Sequence, residues 1–183
     1  MVNYSSGDVS GLTAKVEVLN FDGASKWSQT AAVDSKEDST ESCIPMQYPQ
    51  GLTPVHFLRL TLTKAGAVVS SNLYMRGLDE GNYRAIRELD KAQVRASTTA
   101  KQDGGVWRLT TELENTSAWP ALMVRLKTVR DKSGDRILPA IYSDNYVTLL
   151  PGERQTITTE LNQADTRGER PGIAVSGFNV AQA

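Results

Sequence analysis

Along most of the chain, apolar and polar side chains alternate with a period of two. Leu12, Ala14, Val16 and Val18 alternate with Thr13, Lys15 and Glu17, and Leu58, Leu60 and Leu62 alternate with Arg59, Thr61 and Thr63. Trp107, Leu109, Thr111 and Leu113 alternate with Arg108, Thr110 and Glu112, and Leu122, Val124 and Leu126 alternate with Met123, Arg125 and Lys127. Successive strand side chains point to opposite faces, so each run predicts a strand with one buried face and one wet face. Glycine-bearing turns fall between the runs, at Asp22-Gly23, Gly66, Gly104-Gly105, Ser133-Gly134 and Pro151-Gly152. In Leu150-Pro151-Gly152-Glu153, proline presets φ and glycine accepts a positive φ after it, which predicts a type II turn. Short strands with no long helical segments between them predict an all-β fold.

One segment departs from this period. Tyr83, Ile86 and Leu89 are spaced by three behind Asp79 and Glu80, which suits one or two helical turns with acids at the N-terminal end. It lies mid-chain and reads as a connector. A weak internal repeat flanks it. Val2-Asn3-Tyr4-Ser5 leads into the Leu12–Leu19 strand and the Asp22-Gly23 turn; Leu113-Glu114-Asn115-Thr116-Ser117 leads into the Leu122–Val129 strand and the Ser133-Gly134 turn. The expected architecture is two tandem immunoglobulin-like antiparallel β-sandwiches, at residues 1–78 and 92–183, joined by a connector at 79–91. In the second copy a full strand, Trp107–Glu114, precedes the asparagine, whereas only Met1 and Val2 do so in the first. The first sandwich is therefore expected to lack its N-terminal strand.

Composition narrows the function classes. The length of 183 residues fits one large domain or two small ones, though two sandwiches of this type, at about 100 residues each, fit tightly. Hydrophobic residues at 39% and charged residues at 22% describe a folded chain rather than a disordered one. The formal net charge is −1 and no basic run stands out, so nothing attracts a phosphate backbone and no nucleic-acid partner is expected. No stretch approaches the apolar length of a membrane-spanning helix. Cys43 is the sole cysteine; it excludes an intrachain disulfide and a thiolate-rich metal site, and a free thiol is expected. The segment from Met1 to Ser5 lacks the basic start and apolar core of a signal peptide.

The inventory for chemistry is thin. His56 is the only histidine, so neither a histidine-based triad nor a multi-histidine metal site can be assembled. Glu112 with Glu114, and Asp79 with Glu80, are carboxylate pairs of the kind that hydrolyse glycosides when they flank a sugar, but solvated faces are the expectation for both. Asp131-Lys132-Ser133-Gly134-Asp135 resembles the start of a calcium loop without its remaining ligands, and a polar hairpin is expected. Phosphate-binding glycine loops and nucleophile elbows are absent. No catalytic, cofactor-binding or metal-ligating residue, and no cofactor, is expected. Sugars stack on exposed aromatic rings, for which Trp27, Trp119, Tyr142 and Tyr146 are candidates, while Trp107 is expected in the core. Trp119, before Pro120 in a loop, is expected at the surface, where docking on another domain would serve equally well. The polar and aromatic segment Tyr142 to Tyr146 leads into a strand, so a rigid scaffold would present it. The candidate carbohydrate or domain contacts are thus Trp119, Tyr142, Asp144, Asn145 and Tyr146. The plain structural alternative has Asp144 and Asn145 capping backbone groups and Tyr146 packing inward. Asn3-Tyr4-Ser5 and Asn115-Thr116-Ser117 fit the N-glycosylation pattern, which is common by chance.

Several stretches together resemble the C-terminal β-sandwiches of glycoside hydrolase family 2 enzymes, in the exo-β-D-glucosaminidase and β-mannosidase branch. They are Gly11 to Val18 with Asn20 to Gly23, Phe57 to Leu62, Val68 to Tyr74, and Tyr83 to Ile86 with Leu89. The more specific strings are Leu138 to Tyr146 and Leu149 to Glu153, and Val175 to Val180 is similar to the last strand of those enzymes. The resemblance implies a retaining hydrolase of terminal β-mannosyl or β-glucosaminyl residues, whose catalytic glutamates lie in an upstream (β/α)₈ barrel of the same polypeptide. It also implies a periplasmic or extracellular location. Nothing here alternates strands with long helices as a barrel does, so the chain is expected to be a non-catalytic accessory part. It would stabilise the barrel, with oligosaccharide as a further candidate partner. The other reading is a stand-alone immunoglobulin-like surface module that binds glycan or protein.

Overall fold

A computed structural model describes residues 1–79 and 82–181. Glu80, one member of the connector's carboxylate pair, lies outside the described residues. The chain divides into two compact units, Met1–Glu88 and Leu89–Ala183. Its only helical segments among the described residues are short 3₁₀ turns at Arg84–Glu88 and Gln163–Thr166.

The first unit contains β1 (Val2–Asn3), β2 (Val9–Asn20), β3 (Ser25–Ser35), β4 (Ser39–Thr40), β5 (Val55–Lys64) and β6 (Ala67–Gly77). A four-stranded antiparallel sheet runs in the order β3-β2-β5-β6, and β1 and β4 form a two-stranded ribbon. Register follows the alternation: Val18, Val16 and Ala14 of β2 stand opposite Leu58, Leu60 and Leu62 of β5, so these apolar side chains share one face. Coverage of that face is uneven. Val18 and Leu58 of that face are buried at one end of the sheet, and Leu19, Val55 and Phe57 are buried on the opposite face at the same end, where the Phe21 and Phe57 rings lie 5.8 Å apart. Ala14, Val16, Leu60 and Leu62 are half-buried. They floor a groove of ≈ 660 Å³ walled by Met1, Val2 and residues 41–44 and 46. Here the second layer is small.

The second unit contains β7 (Val94–Asp103), β8 (Val106–Asn115), β9 (Ala121–Arg130), β10 (Ala140–Tyr142), β11 (Val147–Leu149), β12 (Arg154–Asn162) and β13 (Pro171–Ser176). A four-stranded sheet, β10-β12-β8-β7, and a three-stranded sheet, β11-β9-β13, are antiparallel throughout. Their inner faces meet in a core of Leu113 and Ile157 from one sheet and Val124, Leu126, Val147 and Leu149 from the other, as an aligned sandwich requires. Trp107 packs against a smaller cluster of Leu109, Ile137 and Leu161. The fold is all-β, with an immunoglobulin-type sandwich.

Two sequence details have direct structural causes. The Leu150–Glu153 turn closes with Glu153 N–H donating to Leu150 C=O at 3.0 Å, and Gly152 has φ 77°. The repeated Asn-x-Ser is one physical device used twice. Asn3 Oδ1 accepts from Ser5 N–H (2.9 Å) and Ser5 Oγ (2.6 Å); Asn115 Oδ1 accepts from Ser117 N–H (3.0 Å) and Ser117 Oγ (2.6 Å). In both units the carboxamide Nδ2 donates to two backbone carbonyls, of Gly7 and Lys36 or of Trp119 and Leu149. Both side chains are buried, which leaves no free amide for a glycan.

Candidate functional site

The polar and aromatic loop lies between β10 and β11 in the second unit. Its residues have divided roles. Tyr142 points inward: its ring packs against the core, and its hydroxyl accepts from Thr128 N–H at 3.0 Å and donates to Thr128 Oγ1 at 3.3 Å. Ser143 ties the loop to β12, its N–H donating to Thr158 C=O (2.9 Å) and its Oγ accepting from Thr158 N–H (3.0 Å). Asp144 is exposed; Oδ1 accepts from Asn145 N–H (2.7 Å) and Oδ2 from Gln155 Nε2 (3.1 Å).

Asn145 stands in for a strand residue. Its Oδ1 accepts from Leu126 N–H at 2.8 Å and its Nδ2 donates to Leu126 C=O at 3.0 Å, as an opposing peptide group would do on an antiparallel ladder. The same Oδ1 accepts from Tyr146 N–H at 2.9 Å. Thus Asp144 and Asn145 cap backbone groups, as the plain structural alternative has it. Tyr146 does the opposite. Its backbone has φ 59° and its side chain is 59% exposed, with the Arg125 guanidinium carbon 5.5 Å from the ring centroid. That is within cation–π range.

The structure does not gather all five candidates. Trp119 is on the β8–β9 loop, 38% exposed, and its carbonyl accepts from Asn115 Nδ2 and Ser117 Oγ. Asn115 also binds the Leu149 carbonyl, so this loop is anchored at the far end of β11 from Tyr146. Trp27 is half-buried on β3 opposite Val18. Sequence reasoning missed Arg125 as a site residue. Its outward position in β9 was legible from the alternation, but its register against β11 was not.

The other chemical candidates resolve plainly. Glu112 and Glu114 share the outward face of β8, in a shallow depression of ≈ 400 Å³ lined also by Arg95, Ser97 and Arg154. Glu114 accepts from Arg154 (2.8 Å) and Arg95 (3.2 Å). The Arg154 hydrogen bond above all holds its carboxyl below the ordinary carboxylate value, the reverse of what a general acid needs. In the Asp131–Asp135 hairpin, Glu169 accepts from the N–H groups of Lys132 and Ser133, while Asp135 pairs with Arg130 at 3.4 Å. Among the described residues no group of three or more His, Cys, Asp or Glu converges as metal ligands. His56 is 1% exposed, edge-on to the Tyr48 ring at 5.9 Å. Among the described residues neither ring nitrogen meets a hydrogen-bond partner within bonding geometry, and burial, against a weaker opposing effect of the Thr53 backbone, holds its pKa below the ordinary imidazole value. Cys43 is a free, half-buried thiol.

Comparison with known proteins places this geometry. The profile of the exo-β-D-glucosaminidase Ig-fold domain matches residues 72–180. An exo-β-D-glucosaminidase of Streptomyces avermitilis is 33% identical over 100% of this chain and 23% of its own length. One from Amycolatopsis orientalis is 30% identical over 98% of this chain and 20% of its own. The crystal structure of the Amycolatopsis orientalis exo-chitosanase CsxA superposes with a TM-score of 0.86 at 28% identity, covering 98% of this chain and 24% of that one. A β-D-mannosidase from Dictyoglomus thermophilum superposes with a TM-score of 0.59 at 15% identity, a likeness of fold alone. The chain thus spans about a quarter or less of the length of these relatives. No helix among the described residues is long and apolar enough to cross a membrane.

Proposed function

Because the chain belongs to the Ig-fold domain family of the exo-β-D-glucosaminidases, in glycoside hydrolase family 2, we propose that it is a non-catalytic accessory part of such an enzyme. It supports an upstream (β/α)₈ catalytic barrel of the same polypeptide and walls one side of its substrate site. The parent enzyme hydrolyses terminal β-D-glucosaminyl residues, in the periplasm or outside the cell. One observation carries this reading: the chain aligns along nearly its whole length with a segment covering 20–24% of glucosaminidase relatives. The carboxylate pair on β8 agrees with it, since Glu114 is committed to two arginines. Trp119, Tyr142, Asp144, Asn145 and Tyr146 are the residues assigned to carbohydrate or domain contact. Of these, Tyr142 and Asn145 act by holding the loop, and the exposed Trp119 and Tyr146 rings make the contact.

The test is reassembly. The catalytic part of the parent polypeptide is prepared with and without this chain, and hydrolysis of an aryl β-D-glucosaminide and the half-life at elevated temperature are measured. Loss of half-life without the chain, restored when it is supplied, supports the accessory role. Equal half-life and equal kcat/KM in both forms would count against it.

A further inference from the structure

Tyr142, the last residue of β10, and Tyr146, four positions on in the loop that follows, meet opposite fates. The first has its ring in the core and its hydroxyl bonded to Thr128. The second is turned out, although an aromatic side chain gains by burial. Its left-handed backbone is unfavourable for a bulky residue and persists only where the surroundings impose it. Here Asn145 imposes it through its three hydrogen bonds to Leu126 and Tyr146.

The neighbouring strand shows the same feature. β9 and β11 pair through Val124 and Val147, with a register shift before Leu149. At that irregularity Met123 also has a left-handed backbone, φ 53°, and its side chain is 56% exposed. Val124 points into the core, so Met123 and Arg125 on either side of it point outward with Tyr146. Met123 on β9 and Tyr146, immediately before β11, thus both have left-handed backbones and present large side chains to solvent. The Arg125 guanidinium lies over the Tyr146 ring, and the tyrosine remains 59% exposed.

We propose that Tyr146, backed by Arg125 and flanked by Met123, is a stacking platform for the pyranose rings of β-linked glucosamine oligomers. The ligand class rests on the reading of the chain as part of a glucosaminidase; the platform rests on the β9–β11 geometry. A flat ring fixed at the surface matches the C–H face of a pyranose, and a rigid aromatic loses little side-chain entropy on contact. The thioether of Met123 adapts to the remaining apolar edge of the sugar.

The experiment is titration of this chain with a β-linked glucosamine hexamer, followed by amide chemical shifts. Saturable shifts centred on residues 123–126 and 145–147 are expected. Tyr146→Ala should weaken binding about tenfold or more, and Tyr146→Phe, which keeps the ring, should change it by less than about threefold. Tyr4→Ala serves as control, because Tyr4 is the more exposed tyrosine at 86% and lies in the other unit. Absence of saturable shifts at millimolar hexamer would overturn the proposal, as would binding that survives Tyr146→Ala. Either failure leaves the reassembly result untouched, since that experiment reads half-life and hydrolysis.

Discussion

Asn115 and His56 show how differently two buried polar side chains settle. Asn115 has every polar group of its side chain engaged, bridging the backbones of Trp119 and Leu149 and the turn at Ser117. Asn115→Ala removes a donor from the Leu149 and Trp119 carbonyls, of which Trp119's keeps only Ser117 Oγ, and we expect a loss of about 3 kcal/mol of stability, read from denaturant unfolding. A change under about 1 kcal/mol would show that water replaces the carboxamide there. His56 has no partner at either nitrogen among the described residues. Burial lowers its pKa in the folded chain, so below about pH 6.5 the unfolded chain takes up a proton first. Stability owed to the neutral ring is intact above that pH and falls as pH drops toward the folded value. Because His56 is the only histidine, His56→Phe should flatten the stability profile just below about pH 6.5, above the range of the carboxylates. A slope unchanged by the substitution would refute this.

At the scale of elements, strands end where a backbone or a carboxylate stops them. A Cβ on Gly77, the last residue of β6, would lie 2.6 Å from the Asn82 carbonyl and 2.8 Å from that of Asp79. Backbone cannot swing aside as a side chain can. Gly77→Ala should therefore cost about 2 kcal/mol or more and speed amide exchange along the β5–β6 ladder; unaltered exchange would mean that the segment after β6 yields easily. In the hairpin after β9, the Glu169 carboxylate takes the N–H groups of Lys132 and Ser133. The Ser133 N–H above all holds its pKa below the ordinary value. A depressed carboxylate stabilises above its unfolded pKa and loses that effect as pH falls through the folded one. Protection of the two amides should fade in that acid window, and Glu169→Gln should remove the pH dependence.

For the whole molecule, the two units differ in how much of each strand is covered. In the second, β8, β9 and β12 bury alternate residues against the opposite sheet. In the first, β3 and β6 are the sheet's edge strands and stay largely exposed. Amide exchange should be slowest in β8, β9 and β12 and fastest along β3 and β6, because exchange tracks local burial and hydrogen bonding. Uniform protection would contradict this. The purified chain should not turn over aryl β-D-glucosaminides: a retaining hydrolase sets two carboxyls about 5 Å apart with one of them raised in pKa, whereas Glu114 is lowered by its arginines.

Periodicity and turn chemistry determined the fold class, because side-chain alternation and glycine's tolerance of positive φ are local properties of a chain. The runs through β2, β5, β8 and β9 are strands; β8 and β9 have the predicted inward faces, whereas on β2 and β5 only Leu12, Val18 and Leu58 of the predicted rows are buried. The Asn-x-Ser repeat was visible as a string, and its cause, a buried carboxamide bridging loop and strand, was not. Thr128 and Arg130 extend the inward row of β9. Sequence could not forecast that, since the carbonyls of Ile137, Thr166 and Asp165 that satisfy them come from distant segments. Loop Tyr142–Tyr146 stood out by composition. Which tyrosine turns inward was decided by Asn145 meeting Leu126, 19 residues away, and by the β9–β11 register that puts Arg125 beneath Tyr146. Register between separate strands is a property of the packed sheets, set by which faces must be buried together, and only the tertiary structure contains it.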